Sequence, residues 1–196
     1  MKIEYEARVF IDDVSSLINR FNMLSYEFKY ASFQKRYVYD LIPAVKGKWI
    51  RLRSDGNTIT LTYKEILDKE IAGAQEIEIA VSDFDTTNEL LSKMGFSPRS
   101  YQENFRIHYT AKGSSFDIDF WPGIQPYLEI ESKDSCTVEE SFRELGFNAS
   151  QLITSNVDRI FLDYYSIDLD TMSELRFTKK EHDFLFTLKR RLENVR

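Results

Sequence analysis

Pairs of like-charged residues two positions apart recur along this chain, and each pair encloses one apolar or aromatic residue. Because successive side chains of a β-strand point to opposite faces, each such segment predicts a strand with one ionised face and one apolar face. The pairs are Glu4/Glu6 (followed on the same face by Arg8), Arg51/Arg53, Glu76/Glu78, Asp117/Asp119 and Glu129/Glu131, and Lys64 and Arg106 lie singly on two further predicted strands.

The distribution of these segments predicts an antiparallel sheet. Residues 48–65 have the pattern of a hairpin that turns at residues 55–57, and hairpins join most of the other strands as well. We therefore predict the α+β class, with a closed eight-stranded antiparallel β-barrel over residues 1–165 and helices packed outside it. The eight predicted strands lie at about residues 2–10, 27–40, 49–53, 58–64, 74–82, 101–111, 114–121 and 126–132.

Helices are predicted at the connections between strands and at the C-terminus. Thr137 and Thr178 each begin a capping box, which marks the start of a helix. The second of these helices belongs to residues 166–196, which we expect to form a helical extension packed on the same domain. Three further helices are predicted at about residues 13–24, 86–94 and 155–165.

The ionised faces can point to the inside of a barrel or to water. Like charges two residues apart on one face lie roughly 7 Å from each other, so repulsion accumulates unless opposite charges or bound ions offset it. An inward arrangement would place eight carboxylates and five basic groups in one cavity. A sheet with one wet face is the common explanation of such alternation. The pattern by itself leaves both arrangements open.

An inward arrangement would suit phosphate chemistry. Arginine forks match the oxygens of a triphosphate bidentately, and carboxylate clusters bind hard cations such as Mg²⁺ or Mn²⁺ through oxygen. Such a cavity could position a phosphate chain and neutralise the charge that develops during phosphoryl transfer.

Composition excludes other classes of function. The formal net charge of −6 and the pI of about 5.1 argue against a nucleic-acid polymer as partner. The single cysteine, Cys136, rules out an intramolecular disulfide and suits a reducing compartment. No apolar run reaches the roughly 18–20 residues of a membrane-spanning helix, and Met1 is followed by charged residues rather than by an apolar signal segment. We expect a cytoplasmic protein whose partner is a small-molecule triphosphate, with no membrane partner.

The charged segments resemble the signature of CYTH domain proteins, the triphosphate tunnel metalloenzymes, a family that contains class IV adenylyl cyclases and thiamine triphosphatases. Residues 4–8 are similar to its N-terminal ExExK motif, with Arg8 in place of the usual lysine. Asn104 stands at the first basic position of a KxR strand that ends at Arg106. The remaining matches keep the family's order over about residues 1–165. Arg51 to Arg53 match RxR, Lys64 matches the following lysine strand, and Glu76 to Glu78 match the mid-chain ExE. Asp117 to Asp119 and Tyr127 to Glu131 match the late acidic strands.

The resemblance implies a tunnel of eight antiparallel strands, dependence on Mg²⁺ or Mn²⁺, and a triphosphate ligand; it also allows a homodimer. The residues that it implies as catalytic are Glu4, Glu6 and Lys64. Those that it implies as triphosphate-binding are Arg8, Arg51, Arg53, Lys64 and Arg106. Those that it implies as metal ligands are Glu4, Glu6, Glu129 and Glu131, with Asp119 or Glu78 nearby, and Glu76 and Asp117 are further acids of the tunnel.

The activity that we expect is metal-dependent hydrolysis of inorganic triphosphate or of a small organic triphosphate, such as thiamine triphosphate or a nucleotide. The first alternative is class IV adenylyl cyclase chemistry, which converts ATP to cyclic AMP and pyrophosphate. The second alternative is a non-catalytic module that binds triphosphate or polyphosphate, and the neutral Asn104 at a position where the resemblance expects a cation motivates it.

Overall fold

A computed structural model describes residues 2–66 and 74–194 of the chain, with side chains from residue 5 onward in the first range and from residue 75 onward in the second. Its strands are β1 Lys2–Phe10, β2 Glu27–Asp40, β3 Lys48–Ser54, β4 Ile59–Ile66, β5 Ala74–Ala80, β6 Pro98–Ala111, β7 Ser114–Phe120, β8 Tyr127–Ser132 and β9 Glu174–Leu175. Its helices are α1 Val14–Met23, α2 Phe84–Lys93, α3 Ser135–Glu144, α4 Val157–Tyr165 and α5 Lys179–Glu193, with short 3-10 turns at Ala149–Gln151 and Leu169–Thr171.

The first eight strands form one strongly curled antiparallel sheet in the order β2-β3-β4-β5-β1-β8-β7-β6, and β6 also pairs along β2. In the described residues, the pairing between β1 and β5 joins Lys2–Glu4 to Ala74–Glu76, where the described part of β5 begins. Within the described residues, the strand partner of β1 from Tyr5 onward is β8, with an isolated bridge from Arg8 to Ile153, and the strand partner of residues 77–80 of β5 is β4. Strand number, antiparallel pairing and curl agree with the predicted barrel, but the wall is not fully closed.

Side-chain caps define the helix starts, and the sequence predicted only some of these caps correctly. Asp13 caps α1, where the sequence allowed Asp12 or Asp13, and Thr178 forms the predicted capping box with Glu181 at α5. The predicted cap at Thr137 is wrong, because Asp134 accepts the Thr137 backbone N–H and caps α3 three residues earlier.

The apolar faces of the strands point outward, and helices cover those of β7 and β8, whereas Ile77 and Ile79 of β5 are 51% and 55% exposed. Ile118, Leu128 and Ile130 are fully buried in a cluster that also contains Phe142 of α3 and Leu185 of α5. The C-terminal region therefore packs on the sheet, although the predicted boundary after residue 165 stays a prediction. Because the helices cover the apolar face of β7 and β8, the ionised face is left to line the inside of the curl.

Replacing Phe142 with alanine should lower the free energy of unfolding by about 3–5 kcal/mol, since it empties a buried site between α3 and the sheet. Phe186→Ala is the matched control, because the Phe186 side chain is 49% exposed and its loss should change stability by less than about 0.5 kcal/mol. Urea unfolding followed by circular dichroism measures both values. Equal losses in the two variants would contradict the outward placement of this face.

Candidate active site

The ionised strand faces line a single cavity of about 1070 Å³ inside the curled sheet. This arrangement confirms the inward orientation and decides between the two that the sequence allowed. The strands contribute to its wall the basic groups Arg8, Arg36, Arg51, Arg53, Lys64 and Arg106 and the acidic groups Glu6, Glu76, Glu78, Glu129 and Glu131, and the connecting segments add the basic groups Lys46 and Arg159.

Arg106 is the centre of the acidic half of the cavity. Its guanidinium donates two hydrogen bonds to Asp119, of 2.9 Å from Nε to Oδ1 and 2.5 Å from Nη2 to Oδ2. Nη1 donates to Asp117 Oδ2 at 2.7 Å, and Nη2 also reaches Glu129 Oε1 at 3.0 Å. Burial alone would lower the pKa of Arg106, but the surrounding carboxylates hold it well above its usual range. Arg106 therefore stays charged and joins β6, β7 and β8 through their side chains.

Two of the predicted tunnel acids are occupied by this network. Asp119 is fully buried, and its Oδ1 also accepts a hydrogen bond of 3.0 Å from Asn104 Nδ2. Asp117 Oδ1 lies 2.6 Å from His108 Nδ1. Burial raises the pKa of Asp119, and pairing with Arg106 opposes that rise. Neither aspartate contributes to the cavity surface, and both contact Arg106.

Arg8 forms a second tightly compensated group with two glutamates. Its Nη2 lies 2.8 Å from Glu6 Oε1 and 2.6 Å from Glu129 Oε2, and its Nη1 donates to the Ser155 carbonyl oxygen at 2.9 Å. Burial alone would raise the pKa of Glu129, but Arg8 and Arg106 on either side lower it to about 2. Glu129 is therefore ionised at neutral pH between two arginines.

Arg51 and Arg53 are compensated far less closely. Arg51 Nη2 lies 3.6 Å from Glu78 Oε2 and 3.9 Å from Glu76 Oε2, and Arg53 Nη2 lies 3.7 Å from Glu78 Oε2. Burial and the neighbouring Arg53 lower the pKa of Arg51 to about 10, against the opposing effect of the two glutamates. Lys64 is paired directly with Glu76. This side of the cavity consequently has positive charge that the protein's own carboxylates offset only in part.

Arg36 is a cavity residue that the sequence analysis missed. It is only 8% exposed, and its Nη2 donates to Asn104 Oδ1 and, at 3.3 Å, to Gln34 Oε1. Its guanidinium carbon lies 4.7 Å from the ring centroid of Trp121. The sequence signal for Arg36 was that it lies on the same face of β2 as Gln34 and Val38. A search for pairs of like charges does not find an arginine that has no like-charged residue two positions away.

One end of the cavity is lined by the chain segment that leads into α4, which the sequence analysis also missed. Arg8 and Ile153 exchange two backbone hydrogen bonds of 2.8 Å, which fixes this segment to β1. Ser155 and Asp158 then reach the cavity wall, as does Trp49 from β3. Burial raises the pKa of Asp158.

The remaining carboxylates offer oxygen ligands of the type that Mg²⁺ and Mn²⁺ prefer. Glu6 and Glu131 lie directly opposite each other on β1 and β8, where Cβ atoms are roughly 4.5–5.5 Å apart, and both line the cavity. Glu4 belongs to β1, but its side chain lies outside the described residues. Among the side chains that are described, no three or more His, Cys, Asp or Glu groups are already arranged as a metal site.

The fold and the cavity define a class of proteins in which an antiparallel sheet curls round an ionised interior. The chain belongs to the CYTH domain family, whose sequence profile matches residues 3–160. Members of this family are triphosphatases or adenylyl cyclases and are generally metal-dependent.

Three known proteins illustrate this similarity. The candidate adenylate cyclase MJ0240 of Methanocaldococcus jannaschii is 26% identical over 137 residues, which cover 68% of this chain and 78% of that protein. The structure of a candidate adenylate cyclase from Vibrio parahaemolyticus superposes with a TM-score of 0.72 at 13% identity, covering 82% of this chain and 98% of that one. The candidate adenylyl cyclase HpAC1 from Hippeastrum, whose structure is described with a dominant triphosphatase activity, superposes with a TM-score of 0.53 at 14% identity, covering 85% and 96%. At these identities the two structural matches establish the fold alone.

In the described part of the chain, none of the helices combines the length and the apolar character that crossing a membrane requires.

Replacing Glu129 with glutamine should change how stability depends on pH. Because the folded-state pKa of Glu129 is lowered to about 2, its ionised form contributes stability that is complete above the ordinary value of 4.5 and is lost as the pH falls towards 2. Glu129→Gln should therefore lower the free energy of unfolding by about 3 kcal/mol at pH 7, the scale for breaking a buried ion pair. Between pH 4.5 and pH 3, the variant should then lose less further stability than wild type does.

Urea unfolding at several pH values checks this expectation. Glu89→Gln removes the same charge from the exposed face of α2 and should leave the wild-type pH dependence unchanged. Parallel curves for wild type and Glu129→Gln would contradict the depressed pKa.

Proposed function

We propose that this protein hydrolyses a triphosphate, either inorganic triphosphate or a small organic triphosphate, with a divalent cation. The observation that carries the proposal is the division of the cavity into an acidic wall around Glu6, Glu129 and Glu131 and a basic wall around Arg51 and Arg53 whose charge is offset only in part. A polyphosphate chain supplies the negative charge that the basic wall lacks, and arginine forks bind phosphate oxygens bidentately.

The roles proposed for individual residues follow from these contacts. Arg51 and Arg53, held at more than 3.5 Å from their nearest carboxylates, would bind phosphate oxygens and orient the chain. Lys64, anchored by Glu76, would stabilise negative charge on the phosphoryl group that is transferred. Arg8 and Arg106 would position the carboxylates next to the phosphate chain and add positive charge at its edge.

Glu6, Glu129 and Glu131 are the described residues that would hold a divalent cation, and Glu4 remains a predicted fourth ligand. When bound, Mg²⁺ or Mn²⁺ supplies Lewis-acid polarisation of phosphate oxygens and a more acidic water. Glu131 and Glu6 are on adjacent strands, so both can reach one ion without a change in the sheet.

Hydrolysis is preferred because the charged groups of the cavity recognise the phosphate chain rather than a base. The triphosphatase activity attributed to the fold relative HpAC1 supports this preference by analogy. Adenylyl cyclase activity is the second candidate. It is favoured by the name of the relative MJ0240 and by a cavity volume at the upper end of the range that accommodates drug-sized ligands, which leaves room for a nucleoside.

The test measures phosphate and pyrophosphate release in parallel from triphosphate, ATP and thiamine triphosphate, with Mg²⁺ or Mn²⁺. Phosphate release that EDTA abolishes is the expected result. Release of pyrophosphate from ATP alone would replace hydrolysis by the cyclase reaction. Thermal stabilisation by triphosphate without any turnover would replace both by a non-catalytic binding module.

Arg51→Gln should weaken triphosphate binding about 10- to 100-fold, the range expected for losing charge-assisted hydrogen bonds worth about 1.5–3 kcal/mol. Calorimetric titration with triphosphate in EDTA measures the dissociation constant without turnover. Arg190→Gln is the control, since this arginine lies exposed on α5 and should bind as wild type does. Unchanged affinity of Arg51→Gln would remove Arg51 from the binding set.

Glu6→Gln should raise the concentration of Mg²⁺ or Mn²⁺ needed for half-maximal turnover at least about 10-fold, because it removes one carboxylate ligand. Triphosphate binding in EDTA should persist, since Glu6 repels the anion rather than binding it. Turnover as a function of metal concentration measures the effect, with Glu89→Gln as the exposed control. An unaltered metal requirement would argue against ligation by Glu6.

A further inference from the structure

Arg36 is the one cavity arginine of the described residues that forms no ion pair with a carboxylate. Both hydrogen-bond acceptors that contact its Nη2, Gln34 Oε1 and Asn104 Oδ1, are neutral amide oxygens. Its Nε is buried and has no hydrogen-bond partner within the described part of the chain. A buried cation with neutral partners is costly unless an anion approaches it.

The neighbours of Arg36 increase this cost. Arg36 lies directly opposite Arg53 in the pairing of β2 with β3, and like charges in that relation destabilise a sheet. Burial, together with the nearby Arg51, Arg53 and Arg106, holds the pKa of Arg36 well below its usual range. The cluster therefore concentrates positive charge at a place where the protein supplies little negative charge.

The side chain is also held in a fixed orientation. Trp121 lies against its guanidinium plane, and Asn104 holds one edge while donating its own Nδ2 to Asp119. Asn104 is opposite Gln34 in the pairing of β6 with β2, one inward position along from Arg36. Arg36 thus reaches across from β2 to the position on β6 where the resemblance expected a basic residue.

We propose that Arg36 is a further triphosphate-binding residue and that it supplies, from the neighbouring strand, the positive charge that Asn104 lacks. This inference rests on the proposed function, since it assigns one more residue to the same anion. It explains why a neutral residue at position 104 is compatible with anion binding, because a lysine there would lie against Arg36 and repel it. The neutral Asn104 instead accepts a hydrogen bond from Arg36 and orients it.

The test compares Arg36→Gln with wild type in two measurements made without metal, the thermal midpoint of the ligand-free protein and the dissociation constant for inorganic triphosphate. Arg36→Gln should weaken binding at least about tenfold, equivalent to about 1.4 kcal/mol, while the ligand-free midpoint stays equal or rises because a buried uncompensated charge is gone. The double variant Arg36→Gln/Asn104→Lys should return the affinity to within about threefold of wild type, since it restores a cation on the opposite strand.

Lys35→Gln is the matched control, because it removes one positive charge from the adjacent residue, whose side chain lies over Phe84 outside the cavity. It should bind triphosphate as wild type does. A role of Arg36 in packing alone predicts the opposite pattern, namely a lower ligand-free midpoint in Arg36→Gln and no rescue by Asn104→Lys. That pattern, or failure of Arg36→Gln to fold, would overturn the proposal.

The outcomes also separate this inference from the proposed function. Wild-type protein that neither binds nor hydrolyses triphosphate would overturn both. Wild-type binding with unchanged affinity in Arg36→Gln would overturn only the assignment of Arg36. Weaker binding in Arg36→Gln that the double variant restores would support the assignment, whether the bound triphosphate is then hydrolysed or not.

Discussion

The fork between Arg106 and Asp119 is the interaction on which the cavity depends. It places Asp119 in a fully buried position next to a cavity arginine, and the pair has further partners in Asp117, Glu129 and Asn104. The network joins the inner faces of β6, β7 and β8, while Ile118 and Leu128 on the outer faces of β7 and β8 pack beneath the helices. Ionic contacts thus hold the inner side of the sheet, and apolar packing holds its outer side.

The arginines that the strands contribute to the cavity fall into two groups, which differ in how closely carboxylates contact them. Arg8 and Arg106 are saturated by carboxylates at 3.0 Å or less and act as parts of the wall. Arg36, Arg51 and Arg53 are buried among one another with distant or neutral partners. This second group is destabilising in the ligand-free protein, and an anion with several charged oxygens is the kind of molecule that converts the repulsion into binding energy.

The period-two charge pattern predicted which side chains of a charged strand share one face, because parity along a strand fixes the face of each side chain, and the hairpin turns predicted the antiparallel order. It could not reveal Arg36, whose charge is single and sits beside Lys35 on the opposite face. It could not predict that Asp117 and Asp119 lie behind Arg106 rather than on the cavity surface. That difference depends on how deeply each side chain is buried between neighbouring strands. The contact of Arg8 with Ile153 was beyond it as well, because it depends on a pairing between distant parts of the chain.

The backbone bridge between Arg8 and Ile153 has a mechanical consequence. It fixes the segment that leads into α4 to a residue of β1 whose guanidinium also contacts Glu6, Glu129 and the Ser155 carbonyl oxygen. A displacement of α4 therefore acts on Arg8 and, through it, on two carboxylates of the cavity wall.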